Sequence, residues 1–177
     1  AVEIDKNLIP ILEDTLSAYD NVEVLNDDIL KVDIKTLAEE RNAGKPIKVV
    51  ANLPYYITTP IIMKLLESRL FSKITVMVQK EVASRLTAKK GESEYGAITA
   101  VCNYYAKVKK LFNVPAGAFS PPPKVDSSVV MFDIYEKPPV SPIDEEMFFA
   151  VIKAAFAQSN GGFFWHPRRD SNSLPCA

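Results

Sequence analysis

Apolar residues recur along this chain in two alternating periods. The opening Ala1-Val2-Glu3-Ile4-Asp5 alternates apolar with acidic and reads as the end of a strand. Over residues 7–18, Leu8, Ile11, Leu12 and Leu16 fall at helical spacing. Residues 22–25 predict a short strand ending in Asn26-Asp27-Asp28, and a polar, helix-prone stretch then runs to Gly44. A strand follows over 47–51. Thr59-Pro60 predicts a helix start, a capping hydroxyl followed by proline, and Ile61, Ile62, Leu65 and Leu66 form that helix's apolar stripe. Further on come a strand over 74–78, a helix over 80–90 closed by Gly91, a helix over 97–106, and strands over 107–114 and 127–135. Strands alternating with helices predict an α/β domain with a mostly parallel sheet, ending in a hairpin-like pair.

Pro138-Pro139, with Pro142 close behind, marks a linker, and an amphipathic helix over 144–158 reads as the start of a second domain. The stretch 159–177, "SNGGFFWHPRRDSNSLPCA", holds the single Trp and His and is read as an atypical, foreign tail.

Composition adds bounds. An apolar fraction of 47% suffices for a sizeable core, and 24% charged residues is ordinary for a soluble protein. No window nears the roughly 20 apolar residues that span a bilayer. Cys102 and Cys176 stand far apart without metal-like spacing, and the bland reading is a reduced, cytoplasmic protein with no metal. The net charge of −1 conceals an asymmetry: residues 73–124 carry 9 basic and 3 acidic side chains between two acidic flanks. Such a basic section can meet a polyanion or can be a plain solvated face, and charge does not decide between them.

The chemistry lies at strand ends, where open α/β sheets bind ligands. Glu3 closes the first strand, and its carboxylate can accept the hydroxyls of a ribose. Asp28 follows the next strand and can accept from an adenine amino group, with Ile29 beside it as an apolar wall. Asn52 follows the third and opens Asn52-Leu53-Pro54-Tyr55. That tetrapeptide suits an exocyclic amino group, whose lone pair is delocalised into its ring. The Asn52 side-chain oxygen and the Leu53 carbonyl can accept its two N–H bonds and so favour a pyramidal, nucleophilic nitrogen. Pro54 fixes the backbone and holds Leu53 extended, and Tyr55 offers a face for an extruded base. Without the strand context, Asn-X-Pro would be an ordinary capped turn.

These residues, with "AVEID", "NDDIL", "NLPYYITTP", "MVQKEVASRL", "YGAITA" and "FSPPPKVDSSVV", resemble the ribosomal RNA adenine dimethyltransferases. The similarity runs from Ala1 to about Gln158 and is greatest to the small-subunit branch known through kasugamycin resistance. It implies a Rossmann-like fold and S-adenosyl-L-methionine as methyl donor. It also implies N6,N6-dimethylation of adenosines in small-subunit rRNA during ribosome assembly. It assigns Glu3, Ile4, Asp28, Ile29 and Asn52 to the cofactor. Asn52, Leu53, Pro54 and Tyr55 become the catalytic loop, and Phe119, held by Ser120-Pro121-Pro122-Pro123, the second aromatic of the target site. The basic section then supplies RNA contacts: Lys80, Arg85, Lys89 and Lys90 at spacings that share one helix face, followed by Lys107, Lys109, Lys110 and Lys124.

Against the family pattern, the sequence opens after the first strand and its Gly-rich loop, and it changes character at Ser159. The division expected is residues 1–137 as a partial methyltransferase domain, 138–158 as linker and first helix of a helical domain, and 159–177 as the tail. The implied strand order is 3-2-1-4-5-7-6. The strands around residues 1–5 and 48–51 therefore flank the central position, to be filled by an N-terminal segment or a second copy of the chain. Impaired activity of this chain is the expectation. The competing readings are a large-subunit rRNA methyltransferase of the antibiotic-resistance type and a non-catalytic RNA-binding assembly factor.

Overall fold

A computed structural model describes residues 1–43 and 45–157. Six strands and six helices follow in the order β1 (Val2–Glu3), α1 (Ile9–Leu16), β2 (Leu25–Asn26), α2 (Ile34–Asn42), β3 (Ile47–Asn52) and α3 (Thr58–Ser68). They continue with β4 (Phe71–Gln79), α4 (Lys80–Thr87), α5 (Ala97–Tyr105), β5 (Ala106–Val114), β6 (Ser127–Ile134) and α6 (Glu145–Phe156). β1 and β2 form a parallel pair, and the other four form a sheet in the order β3-β4-β6-β5. β3 and β4 are parallel, whereas β6 runs antiparallel to both of its neighbours.

Written as β2-β1 followed by β3-β4-β6-β5, this is the implied order with the central position between β1 and β3. Those two strands share no ladder, yet residues of both line one cleft. The sequence pattern predicted the strands' existence well and β2's extent poorly, since only Leu25 and Asn26 pair.

The core lies on one face of the larger sheet. Ile74, Val76 and Val78 of β4 and Val130 and Phe132 of β6 are fully buried there. α3 covers them with Ile61, Ile62, Met63, Leu65 and Leu66, α4 with Ala83 and Leu86, and α5 with Val101 and Cys102. Because side chains alternate across a strand, Val50, Thr75, Met77, Val129 and Met131 stand on the opposite face. Val50 is 86% exposed.

α6 is joined to α5 through rings. Phe149 packs edge-on to Tyr104 at 5.2 Å and stacks with Tyr105 at 5.7 Å. Arg69 lies 5.5 Å over the Tyr105 ring and pairs with Glu145 at the start of α6. Burial pushes the Tyr105 phenol far above its usual range, and it does the same to the thiol of Cys102, leaving that cysteine inert. Cys176 and the rest of the proposed tail lie outside the described residues. Among the described residues no helix is long and apolar enough to cross a membrane.

Two expectations need correction. α4 ends at Thr87 rather than at Lys90, because Ala88 is extended and Lys89 N–H donates instead to Glu92 Oε2 at 2.7 Å. The Thr87 hydroxyl donates back to the Ala83 carbonyl at 2.8 Å, which completes the last turn. Lys89 and Lys90 therefore do not share a helix face with Lys80 and Arg85, and Gly91, at φ +94°, serves the turn beyond. Likewise α3 begins at Thr58, one residue before the expected cap. A 3-10 turn over Tyr55–Ile57 feeds directly into it, so Thr59 caps nothing.

Candidate active site

β1, β2 and β3 are parallel to their partners, and their carboxyl ends open on one cleft of about 580 Å³ between the two sheets. Glu3, Ile4, Asp28, Ile29, Asn52, Leu53 and Pro54 all line it. The three polar groups chosen from separate strand ends, residues 3, 28 and 52, thus share a single space.

Local hydrogen bonds orient both carboxylates. Glu3 Oε1 accepts from Asp5 N–H at 2.8 Å, while the Glu3 carbonyl accepts from Asn26 Nδ2 at 2.9 Å. Asp28 Oδ1 accepts from Leu30 N–H at 2.9 Å, and its carbonyl accepts from Lys31 and Val32. Each carboxylate keeps a second oxygen for a ligand. The walls are apolar: Ile29, Leu53, Ile57, Ile61 and Leu65 contribute to them. Two acceptors on such walls fit the hydroxyl and amino donors of a nucleoside.

The Asn52-Leu53-Pro54-Tyr55 tetrapeptide continues the β3–β4 ladder by one bond before it turns. Asn52 pairs with Met77, and Leu53 N–H donates to the Met77 carbonyl at 3.1 Å. The Leu53 side chain is 5% exposed, so the loop is pinned to the core at its second residue. Pro54 then hands its carbonyl to Ile57 N–H and to the hydroxyl of Thr58. The Asn52 side chain has no hydrogen-bond partner among the described residues, in keeping with an amide held for a ligand.

The aromatic residues are arranged less simply. Tyr56, 85% exposed, lines the cleft, whereas Tyr55 turns its hydroxyl to Ser127 Oγ at 2.9 Å. Phe119 is half-buried at the end of a short 3-10 turn, Ala116–Ala118, and stands outside the Glu3–Asp28 cleft. Sequence reasoning passed over Ser127 and its neighbour Asp126. Asp126 Oδ1 accepts from Ala116 N–H at 3.0 Å, its carbonyl accepts from Lys80 N–H at 3.0 Å, and Oδ2 lies 3.7 Å from Lys80 Nζ. The only sequence signal for either was their place inside "PPPKVDSS".

The basic residues divide in two. Lys80 and Lys124 flank a cleft of about 520 Å³ at the end of β4, lined also by Asp126. Arg85 pairs with Glu81 one turn earlier on α4, and Lys89 and Lys90 lie in the following loop. Lys107 and Lys109 alternate with Val108, whose ladder partner Phe132 faces the helices, so they stand on the other side of the sheet. Lys110 returns to the helix side, at the sheet's edge. A larger cavity, about 930 Å³ near Arg69 and Glu145, contains none of the strand-end residues.

Comparison with known proteins decides the ancestry of this arrangement. The family model described as ribosomal RNA adenine dimethylase matches residues 1–164. The chain belongs to this family. It is 57% identical over 159 residues to the ribosomal RNA small subunit methyltransferase A of Shouchella clausii, covering 89% of this chain and 54% of that protein. Against the protein of the same name from Lachnoclostridium phytofermentans the identity is 55% over 160 residues, with 89% and 55% covered. Among solved structures, a dimethyladenosine transferase from Plasmodium falciparum superposes with a TM-score of 0.74 at 31% identity, covering 89% of this chain and 54% of the other. The 23S rRNA methyltransferase ErmE gives 0.73 at 26%, covering 90% and 62%. The chain spans about half the length of the curated relatives it matches. The family's α/β methyltransferase-like fold is the one described above.

Proposed function

We propose that this chain is the donor-binding and base-binding part of an enzyme that dimethylates adenosine N6 in small-subunit rRNA, acting in the cytoplasm on the assembling subunit. The observation that carries the proposal is the shared cleft: Asn52 and Leu53 reach it from β3 while Glu3 and Asp28 reach it from β1 and β2. When bound, S-adenosyl-L-methionine supplies the electrophilic methyl group. Glu3 would hold the ribose of that donor, Asp28 its adenine amino group, and Ile4 and Ile29 the flat faces.

The protein's own chemical task is at the target nitrogen. The Asn52 side-chain oxygen and the Leu53 carbonyl accept hydrogen bonds from its two N–H groups, which localises the lone pair for attack, and one proton leaves the methylated nitrogen afterwards. Tyr55 and Phe119 flank the extruded base. Desolvation by the apolar walls strengthens both hydrogen bonds.

RNA would approach from the side carrying Lys80, Arg85, Lys89, Lys90 and Lys124, where the phosphates lie nearest the catalytic loop. Lys107, Lys109 and Lys110 belong to the same reading as contacts around the sheet edge. A parallel strand, from a longer form of the polypeptide or from a second copy, would complete the sheet between β1 and β3. α6 supports a further helical layer: Phe149 is buried beneath it, yet Met147 and Val151 are 61% and 58% exposed on its outer side.

Identity of 55–57% to proteins named for the small subunit, against 26% to the large-subunit enzyme, favours the small subunit as substrate. The test is incubation with labelled donor and separate small-subunit and large-subunit RNA, followed by mass analysis of the nucleosides. Dimethyladenosine in small-subunit RNA alone is the expected result. Transfer to large-subunit RNA, or RNA binding without transfer by a form with the sheet completed, overturns the reading.

A further inference from the structure

The two aromatic residues of the proposed base site sit on loops 64 residues apart in sequence, yet both loops are fastened to consecutive residues at the start of β6. Tyr55 shares a hydrogen bond of 2.9 Å with Ser127. The segment leading to Phe119 is held by Ala116 N–H donating to Asp126 at 3.0 Å. Neither Ser127 nor Asp126 lines the strand-end cleft.

The anchor is rigid. Ser127 is 0% exposed and is paired on both sides, to Gln79 of β4 and to Val114 of β5. Next to it, Ser128 donates to Asn113 at 2.9 Å, which fixes the end of the hairpin from the other strand. Asp126 is joined to α4 as well, through the Lys80 amide at 3.0 Å and the Lys80 ammonium at 3.7 Å. A buried serine hydroxyl needs a partner, and here that partner comes from the catalytic loop rather than from the strand's own surroundings.

We infer that Ser127 and Asp126 are positioning residues that set the two aromatic walls of the base site from one point. Ser127 fixes the ring of Tyr55 by its hydroxyl, and Asp126 fixes the Phe119 segment by its carboxylate. The walls therefore keep their separation when either loop is loaded by RNA. This inference rests on the methyl-transfer reading above, and its test separates the two.

The experiment uses the protein with the sheet completed and the variants Tyr55→Phe, Ser127→Ala, Ser127→Thr, Asp126→Ala and the Tyr55→Phe/Ser127→Ala double variant. Each is assayed for kcat and KM with small-subunit RNA, for donor affinity by titration, and for amide hydrogen exchange by loop. Tyr55→Phe and Ser127→Ala should each lower kcat about tenfold, the size of one positioned hydrogen bond. Donor affinity should not move. The double variant should lose no more than either single one, since both remove the same bond, and Ser127→Thr should restore most of the rate. Exchange should rise over residues 53–57 in Ser127→Ala, and over residues 115–122 in Asp126→Ala, which removes the acceptor, with the middle of β4 unaffected. Additive losses, or an unchanged kcat and unchanged exchange in Ser127→Ala, would overturn the inference. A wild-type form with the sheet completed that shows no transfer would defeat the functional reading instead, and local exchange then decides the anchoring alone: unchanged exchange over 53–57 rejects it.

Discussion

Asn52 stands opposite Met77 as the last pair of the β3–β4 ladder, and the next amide, Leu53 N–H, donates to the carbonyl of that same Met77 at 3.1 Å. The position of the Asn52 side chain is therefore set by the sheet rather than by the loop that follows. Truncating it removes an acceptor without releasing the backbone.

From this follows the sharpest expectation for the chemistry. Asn52→Ala should raise the barrier to methyl transfer by about 2.7–4 kcal/mol, by analogy with the loss of an oxyanion-hole donor. Donor binding, which the reading assigns chiefly to Glu3 and Asp28, should change little. Rate and donor affinity measured on the same preparation check this, and turnover near the wild-type value in Asn52→Ala would remove Asn52 from its role.

The two cationic sets make separate predictions. Replacing Lys89 and Lys90 by Glu should weaken RNA binding for every sequence and reduce the salt dependence by about one unit per lysine. The same change at Lys107 and Lys109, on the far side of the sheet, should have the smaller effect. Titrations at several salt concentrations decide between the sets. Equal effects would mean that RNA wraps the edge at β5.

Phe149, 4% exposed between Tyr104 and Tyr105, ties α6 to the rest of the fold. Phe149→Ala should cost about 3–5 kcal/mol in denaturant unfolding, the usual range for a buried ring. Glu145→Ala, which breaks only the half-exposed pair with Arg69, should cost less than about 1 kcal/mol. Equal losses would show that charge rather than packing holds the helix.

The edges of β1 and β3 that border the cleft have no ladder partner among the described residues, and unpaired edges recruit strands. Sedimentation should accordingly find the isolated chain heavier than its 19.7 kDa, with the amides of β3 protected from exchange. A monomer of that mass that also binds S-adenosyl-L-methionine tightly would contradict both the open edge and the need to complete the sheet.

The strand ends that meet in one cleft were legible in the sequence. The short apolar run ending at Ala51 announced β3, and the amide, proline and aromatics after it marked a loop that reaches the cleft. Glu3 and Asp28 were legible for the same reason, because a strand's carboxyl end is both a sequence position and a place in the fold. The helix stripe of α3 was equally plain, since its apolar period is satisfied against a single neighbouring face.

What stayed hidden depends on which distant groups compete for a given donor. The end of α4 was misplaced because Glu92 captures the Lys89 amide. Which side of the sheet each lysine takes was hidden, because strand alternation sends Lys107 and Lys109 to the face opposite the helices. Ser127 offered no signal beyond its place inside "PPPKVDSS", since its partner Tyr55 lies 72 residues away. Local periodicity and backbone-restricting residues thus determined most of the elements, the α/β plan and which polar residues stand at strand ends, while the antiparallel β6 makes the larger sheet mixed rather than mostly parallel. The tertiary structure decided which loops are fastened together and which charges share a side, because long-range hydrogen bonds and sheet register leave no trace in local residue spacing.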